Sequence, residues 1–140
     1  MQIIMTLAGI AEFLDREFPQ VTGEFAAERL TAEGLVLRLK VADKHLRPGG
    51  TVSGPAIFGL ADVAFYLALL ARIGPVALAA TTNVAIDFLR KPAAGVDLLA
   101  EARILKLGRV LAVGDVMVYS EGQAAPVARA SLTYSIPPKK

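Results

Sequence analysis

The sequence predicts an α+β domain in which one antiparallel sheet of about six strands wraps around a single long apolar helix. Three observations carry that prediction. From Gly54 to Arg72 the chain is apolar apart from Asp62 and the terminal Arg72, long enough for about five helical turns. After Pro75 the hydrophobic period changes from helical to two. The links between the period-two segments are short, which favours antiparallel neighbours, because a parallel crossover needs about a dozen residues or more.

Size and composition are consistent with this. The 140 residues amount to one domain, 1–140, and roughly 70% of the unfolded surface of such a chain is buried on folding. Apolar residues make up 54% and charged residues 20%, which excludes disorder. There is no cysteine, so disulfides, thiolate zinc sites and cysteine nucleophiles are excluded together. A single histidine, His45, excludes multi-histidine metal centres. Fifteen basic against thirteen acidic side chains give a net charge of +2, although the pI is 9.1. That balance does not indicate a whole-surface nucleic-acid footprint, and no nucleic-acid partner is expected.

In chain order, Leu7, Ile10, Phe13, Leu14 and Phe18 recur at helical spacing, so Thr6 to Phe18 reads as an amphipathic helix closed by Pro19. Gly23 to Leu30 and Leu35 to Val41 flank the turn-like Thr31-Ala32-Glu33-Gly34 and read as a hairpin. Asp43 to Ser53 is irregular, with Pro48, Gly49 and Gly50 as breakers. The long helix follows, stopped by Gly74-Pro75, and then come strands at Ala77 to Leu89, Val96 to Leu107, Val110 to Ser120 and Pro126 to Ile136. Pro137 to Lys140 is a tail. The sheet has one face to bury and the helix has all its sides to bury, and wrapping one around the other satisfies both. That is the hotdog arrangement.

Neither apolar segment reads as a membrane element. Met1 to Leu14 lacks a basic leader and runs into Asp15, Arg16 and Glu17, unlike a secretion signal. Asp62 near the middle of the long helix would cost about 3 kcal/mol in a bilayer. A helix enclosed by protein, a cytoplasmic location and no membrane partner are expected.

Asp62 is also the chemical anomaly. A carboxylate in an apolar helix is costly unless paired, hydrated or protonated, and Phe58, Gly59, Phe65 and Tyr66 occupy the positions one turn away. Only Tyr66 offers it a local hydrogen bond. Asp62 is therefore either a general base or nucleophile facing a cleft, or a polar spot at a subunit interface or beside a distant Arg. Upstream, Ser53-Gly54-Pro55 places a capping residue and an early proline at a helix start. This is either plain capping or a set of free N–H groups for a carboxylate, phosphate or developing oxyanion. An oxyanion donor and a carboxylate base are what acyl transfer to water requires.

Ser53 to Phe65 (Ser-Gly-Pro-Ala-Ile-Phe-Gly-Leu-Ala-Asp-Val-Ala-Phe) resembles the signature of the hotdog-fold acyl-CoA thioesterases of the phenylacetate-degradation (PaaI) type. That signature runs His-Gly-Gly, several apolar residues, then Leu-Ala-Asp. Thr82 to Pro92 resembles the strand after the family's helix, and Ala100 to Arg109 and Ala128 to Tyr134 its later strands. The resemblance spans about Gly34 to Ile136. It implies that Asp62 is the catalytic carboxylate, that the Gly54 N–H polarises the thioester carbonyl, and that Thr82 helps position the attacking water. It also implies a site built across a homodimer, Asp62 of one subunit facing Gly54 of the other, in dimers or dimers of dimers. No metal and no cofactor beyond the coenzyme A of the substrate are implied.

The departures concern the same site. Ser53 replaces the family's histidine, Pro55 replaces its second glycine and removes an N–H, and Arg47 stands where relatives often carry an Asn. An Arg beside Asp62 would make the carboxylate a better ion and a weaker base, and would equally neutralise an acidic acyl group. Arg90, Lys91 and Arg109 at strand ends or turns are either contacts for coenzyme A phosphates or solvated turn charges. His45 reads as a surface histidine, Asp87 as facing solvent or pairing across strands, and Phe58, Phe65, Tyr66 and Phe88 as core or acyl-pocket wall. The expected activity is acyl-CoA thioester hydrolysis. A hotdog protein that binds acyl-CoA without cleaving it is the alternative, and a dehydratase pairing Asp62 with His45 is the third reading.

Overall fold

The structure is a computed structural model and describes residues 2–138. Met1, at the head of the segment compared with a secretion signal, and Lys139 and Lys140 of the tail lie outside the described residues. Helix α1 spans Leu7–Glu17, and its cap is Thr6, whose Oγ1 accepts the Gly9 N–H at 3.0 Å. Ile10, Phe13 and Leu14 form its buried face. Phe18 ends it, and Pro19–Val21 adds one 3₁₀ turn. Strands β1 (Phe25–Leu30) and β2 (Gly34–Leu39) form the expected hairpin.

Helix α2, Gly54–Ile73, is started by Ser53, whose Oγ accepts the Ala56 N–H at 3.3 Å. Gly74 ends it at φ +95°, a backbone conformation that favours glycine, with its N–H on the Leu70 carbonyl. Strands β3 (Ala80–Phe88), β4 (Leu98–Leu107), β5 (Leu111–Ser120) and β6 (Pro126–Ser135) follow. All six strands join one sheet in the order β1-β2-β4-β5-β6-β3, antiparallel at every step. The sheet carries α2 chiefly on β2, β4 and β5, so the fold is the hotdog arrangement.

The core is the seam between α2 and the inward-facing strand residues, among them Leu60, Phe65, Leu67, Leu98 and Val116. At Gly114 of β5 a Cβ would collide with the Arg103 carbonyl and the Phe65 ring. Gly114 is what lets the helix approach the strand so closely. At the helix C-terminus the buried Arg72 guanidinium donates to the carbonyls of Gly34 (2.9 Å) and Thr31 (2.6 Å), tying α2 to the β1–β2 turn.

Three expectations change in detail. The strand predicted from Ala77 begins at Ala80, because residues 76–79 close a turn, Ala79 N–H to the Val76 carbonyl at 3.1 Å. The segment 43–53 is not wholly irregular: Asp43–His45 is a 3₁₀ turn, and Leu46 bridges to Val52 around Gly49 and Gly50. Helix α2 is not enclosed all round. Pro55 and Phe58 are exposed, and Gly59, Asp62, Val63 and Tyr66 only half-buried, so one stripe stays uncovered within the chain. Among the described residues α2 is the one helix long and apolar enough to cross a membrane, and most of it is enclosed by the protein.

Candidate active site

Asp62 sits on that uncovered stripe, and two hydroxyls reach it from the sheet. Thr81 Oγ1, at the start of β3, and Tyr134 Oη, near the end of β6, each donate to Asp62 Oδ1 at 2.7 Å. Tyr134 Oη also lies 3.1 Å from the Asp62 main-chain oxygen. The register pairs Thr81 with Tyr134, which puts the two donors side by side. Among the described residues Oδ2 has no hydrogen-bond partner and no basic side chain pairs with the carboxylate. Burial, and after it the Asp62 charge, push the Tyr134 phenol well above its ordinary range, so it stays a donor.

Asp62 opens onto two clefts. One, of about 390 Å³, is lined by Phe18, Val63, Tyr66, Thr81 and Tyr134. The other, of about 330 Å³, shares Phe18 and Val63 with the first and extends past Gly59 to Pro55. Tyr66, the expected local partner, instead donates to the Ala77 carbonyl at 2.9 Å, and Tyr134 is the tyrosine on Asp62. Thr81 is the threonine that touches the carboxylate. Thr82 falls in a bulge between Thr81 and Asn83 and donates to the Thr133 carbonyl at 3.2 Å.

The helix start is a separate locus. Ser53 caps the Ala56 N–H, Ile57 N–H bonds to the Ser53 carbonyl, and Pro55 has no N–H. That leaves the Gly54 N–H, which has no acceptor among the described residues. Eight residues separate Gly54 from Asp62 on α2, about 12 Å along the axis, so one chain cannot bring both to one carbonyl group.

Around Gly54, a groove of about 560 Å³ is lined by Arg47, Phe88, Arg90 and Lys91. Arg47 thus stands by Gly54 and not by Asp62. Arg90 donates to the Pro126 carbonyl at 3.0 Å, and among the described residues none of these three cations has a carboxylate partner. Arg109 lies in the β4–β5 turn, at the sheet end where β3 begins, whereas Arg90 follows the end of β3. Nine strand residues place them about 30 Å apart in one chain.

His45 is not a surface histidine; it is 5% exposed. The Ala42 N–H donates to Nδ1 at 2.9 Å, which puts the ring hydrogen on Nε2, 2.7 Å from Glu24 Oε1. The His45 hydrogen bond is the main reason the Glu24 carboxyl sits below its ordinary range. Both ring nitrogens are engaged, and neither is bonded to Asp62. Asp87 pairs across strands with Arg129 at 3.0 Å, Phe65 is core, and Phe58 and Phe88 are exposed within the chain. Among the described residues no group of three or more His, Asp or Glu side chains converges to hold a metal ion.

No signal in the sequence marks Thr81 or Tyr134. Tyr134 lies 72 residues from Asp62, and the bulge at Thr82 changes which threonine faces inward.

Comparison with known proteins identifies the family. The model of the thioesterase superfamily matches residues 49–127. A crystal structure from Silicibacter sp., of a protein provisionally named a thioesterase, is 54% identical over 99% of this chain and 96% of that one, with a TM-score of 0.92. A variant of the phenylacetic acid degradation protein PaaI from Thermus thermophilus is 31% identical over 85% of this chain and 99% of that one, TM-score 0.72. Zebrafish thioesterase superfamily member 2 shares the fold at 21% identity, 96% and 100% coverage and a TM-score of 0.83. A comparison with proteins of curated function gives no match. The chain belongs to the thioesterase superfamily, and that membership supports hydrolysis of thioesters.

Proposed function

We propose that the protein hydrolyses an acyl-CoA thioester to the free acid and coenzyme A, in a homodimer whose sites each take Asp62 from one protomer and Gly54 from the other. The observation that carries this reading is the state of Asp62: Oδ1 is held by two hydroxyls, while Oδ2 has no partner among the described residues and the side chain lines a cleft. As a general base, Oδ2 takes a proton from water as the water oxygen bonds to the thioester carbon. The Gly54 N–H, aided by the positive end of α2, stabilises the oxyanion. Collapse breaks the carbon–sulfur bond, and the departing thiolate receives the proton. As a nucleophile, Oδ2 would attack the carbon itself and expel the coenzyme A thiolate, and water would cleave the resulting anhydride, releasing the acid, restoring the Asp62 carboxylate and supplying the proton the thiolate takes up.

Three further features support the reading. The 12 Å spacing of Gly54 and Asp62 calls for a second chain, and β3 is an edge strand exposed along most of its length, suited to pairing with its own copy. Arg47, Arg90 and Lys91 beside Gly54 match the phosphates of coenzyme A. Thr81 holds Asp62 directly, while Thr82, at the bulge of the same edge, is an accessory through its neighbour. Arg109 serves this site only through another chain.

One observation favours the alternative, a protein that binds acyl-CoA without cleaving it. Pro55 and the Ser53 cap leave a single free N–H at the helix start, the smallest possible oxyanion site. Thiol release from short, medium, long-chain and aromatic acyl-CoAs, wild type beside Asp62→Asn, decides between them. Hydrolysis predicts turnover that falls about 10²-fold or more in the variant with binding kept. Thermal stabilisation by acyl-CoA without thiol release identifies a binder.

A further inference from the structure

We propose that Tyr134 is a positioning residue for Asp62: its hydroxyl holds the carboxylate by Oδ1 and so fixes Oδ2 as the oxygen presented to the thioester. The inference rests on Asp62 being the reacting carboxylate, and it assigns a role to a residue that no motif marks.

The two donors on Oδ1 are not equivalent. Thr81 is on the exposed edge strand, whereas Tyr134 is 3% exposed and belongs to β6, paired on both sides. Its ring is held by Phe65 and Tyr66, with centroids 5.4 and 6.1 Å away, so its hydroxyl has little freedom. That hydroxyl meets Asp62 at two points, Oδ1 at 2.7 Å and the main-chain oxygen at 3.1 Å. Turning the Asp62 side chain to another rotamer breaks the shorter contact and leaves a buried phenol facing only a carbonyl already used by the helix. A carboxylate with Oδ1 bound twice and Oδ2 bare is thereby the favoured arrangement.

A merely structural tyrosine and a positioning one differ in how a loss divides between kcat and KM. Tyr134→Phe keeps the ring and its packing and removes only the donor. The expected result is a kcat lowered about tenfold with KM changed less than about twofold. Substitution of Tyr134 by 3-fluorotyrosine preserves the fold and changes only the strength of the donor, and kcat again changes while KM stays within about twofold. This second variant carries the test if Tyr134→Phe unfolds.

The inference is overturned if kcat of the informative variant stays at the wild-type value while Asp62→Asn is inactive, or if the whole loss falls on KM. If Asp62→Asn turns over at the wild-type rate, the assignment of Asp62 itself fails, and this inference fails with it.

Discussion

The ring of Phe88 lies against Gly54, its Cζ 3.4 Å from the point a Cβ at that residue would occupy. A methyl group there is in ordinary contact, so Gly54→Ala is expected to fold and to keep most of its turnover. Gly54→Pro is the informative change. Ser53 is already extended at φ −73°, ψ 156°, as a residue before proline must be, and proline suits the first helical position. The N–H is lost, and a ring is added beside Phe88 and ahead of Pro55, so Gly54→Ala serves as the control for the added carbon. Thiol release by the folded variant is expected to fall about 10²- to 10³-fold. Equal activity of the Pro and Ala variants removes Gly54 as the oxyanion donor.

A site shared between protomers predicts complementation. Asp62→Asn and Gly54→Pro are each expected to be inactive alone. A mixed dimer holds one site with both changes and one with neither. After random exchange of subunits, turnover per protomer should recover to about a quarter of wild type. Absence of recovery in a mixture shown to contain mixed dimers would falsify the shared site.

The Glu24–His45 pair, which lines the second cleft together with Asp62, predicts a pH-dependent stability effect. Glu24 sits below its ordinary value of 4.5, chiefly through the His45 hydrogen bond, so its contribution is full above about pH 4.5 and is lost as the pH falls below that. Urea midpoints of wild type and Glu24→Gln should therefore converge in acid and separate at neutral pH. His45→Ala should cost about 1–3 kcal/mol of stability. Turnover of the folded variant should be unchanged, and a large loss would restore the dehydratase reading.

Gly114→Ala tests a close contact of helix and sheet. The added carbon meets the Arg103 carbonyl and the Phe65 ring, and backbone cannot swing aside as a flexible side chain can. A loss of about 3 kcal/mol is expected in denaturant titration. Since Phe65 also packs on Tyr134, turnover should fall as well.

The element order was readable because period, breakers and caps agree: the helical run after Ser53, the stop at Gly74 and the two-residue period of β4 to β6 need no tertiary information. Asp62 was readable as the one carboxylate of an apolar helix, and Gly54 as the N–H beside a proline. Its hydroxyl partners were not. Thr81 and Tyr134 meet it through the β3–β6 register, and the bulge at Thr82 reverses the simple alternation that would choose between neighbouring threonines. His45 lies in a stretch rich in polar and turn-forming residues, and its hydrogen-bond partner Glu24 lies 21 residues earlier. The uncovered stripe of α2 was hidden for another reason: its Pro, Phe, Gly, Val and Tyr residues are as apolar as those facing the core.

The placement of β3 at the sheet edge bears on the order in which the molecule assembles. β3 is made directly after α2, yet its partner within the chain is β6, the last strand, and Thr81 waits for Tyr134 across 52 intervening positions of sequence. Such a contact closes a long loop and forms late, after the β4–β5 and β5–β6 hairpins have given it a template. Until then Asp62 has neither of its hydroxyl donors. Incomplete chains, whether nascent or clipped before β6, therefore carry the conspicuous helix motif without the two hydroxyl donors that hold its carboxylate.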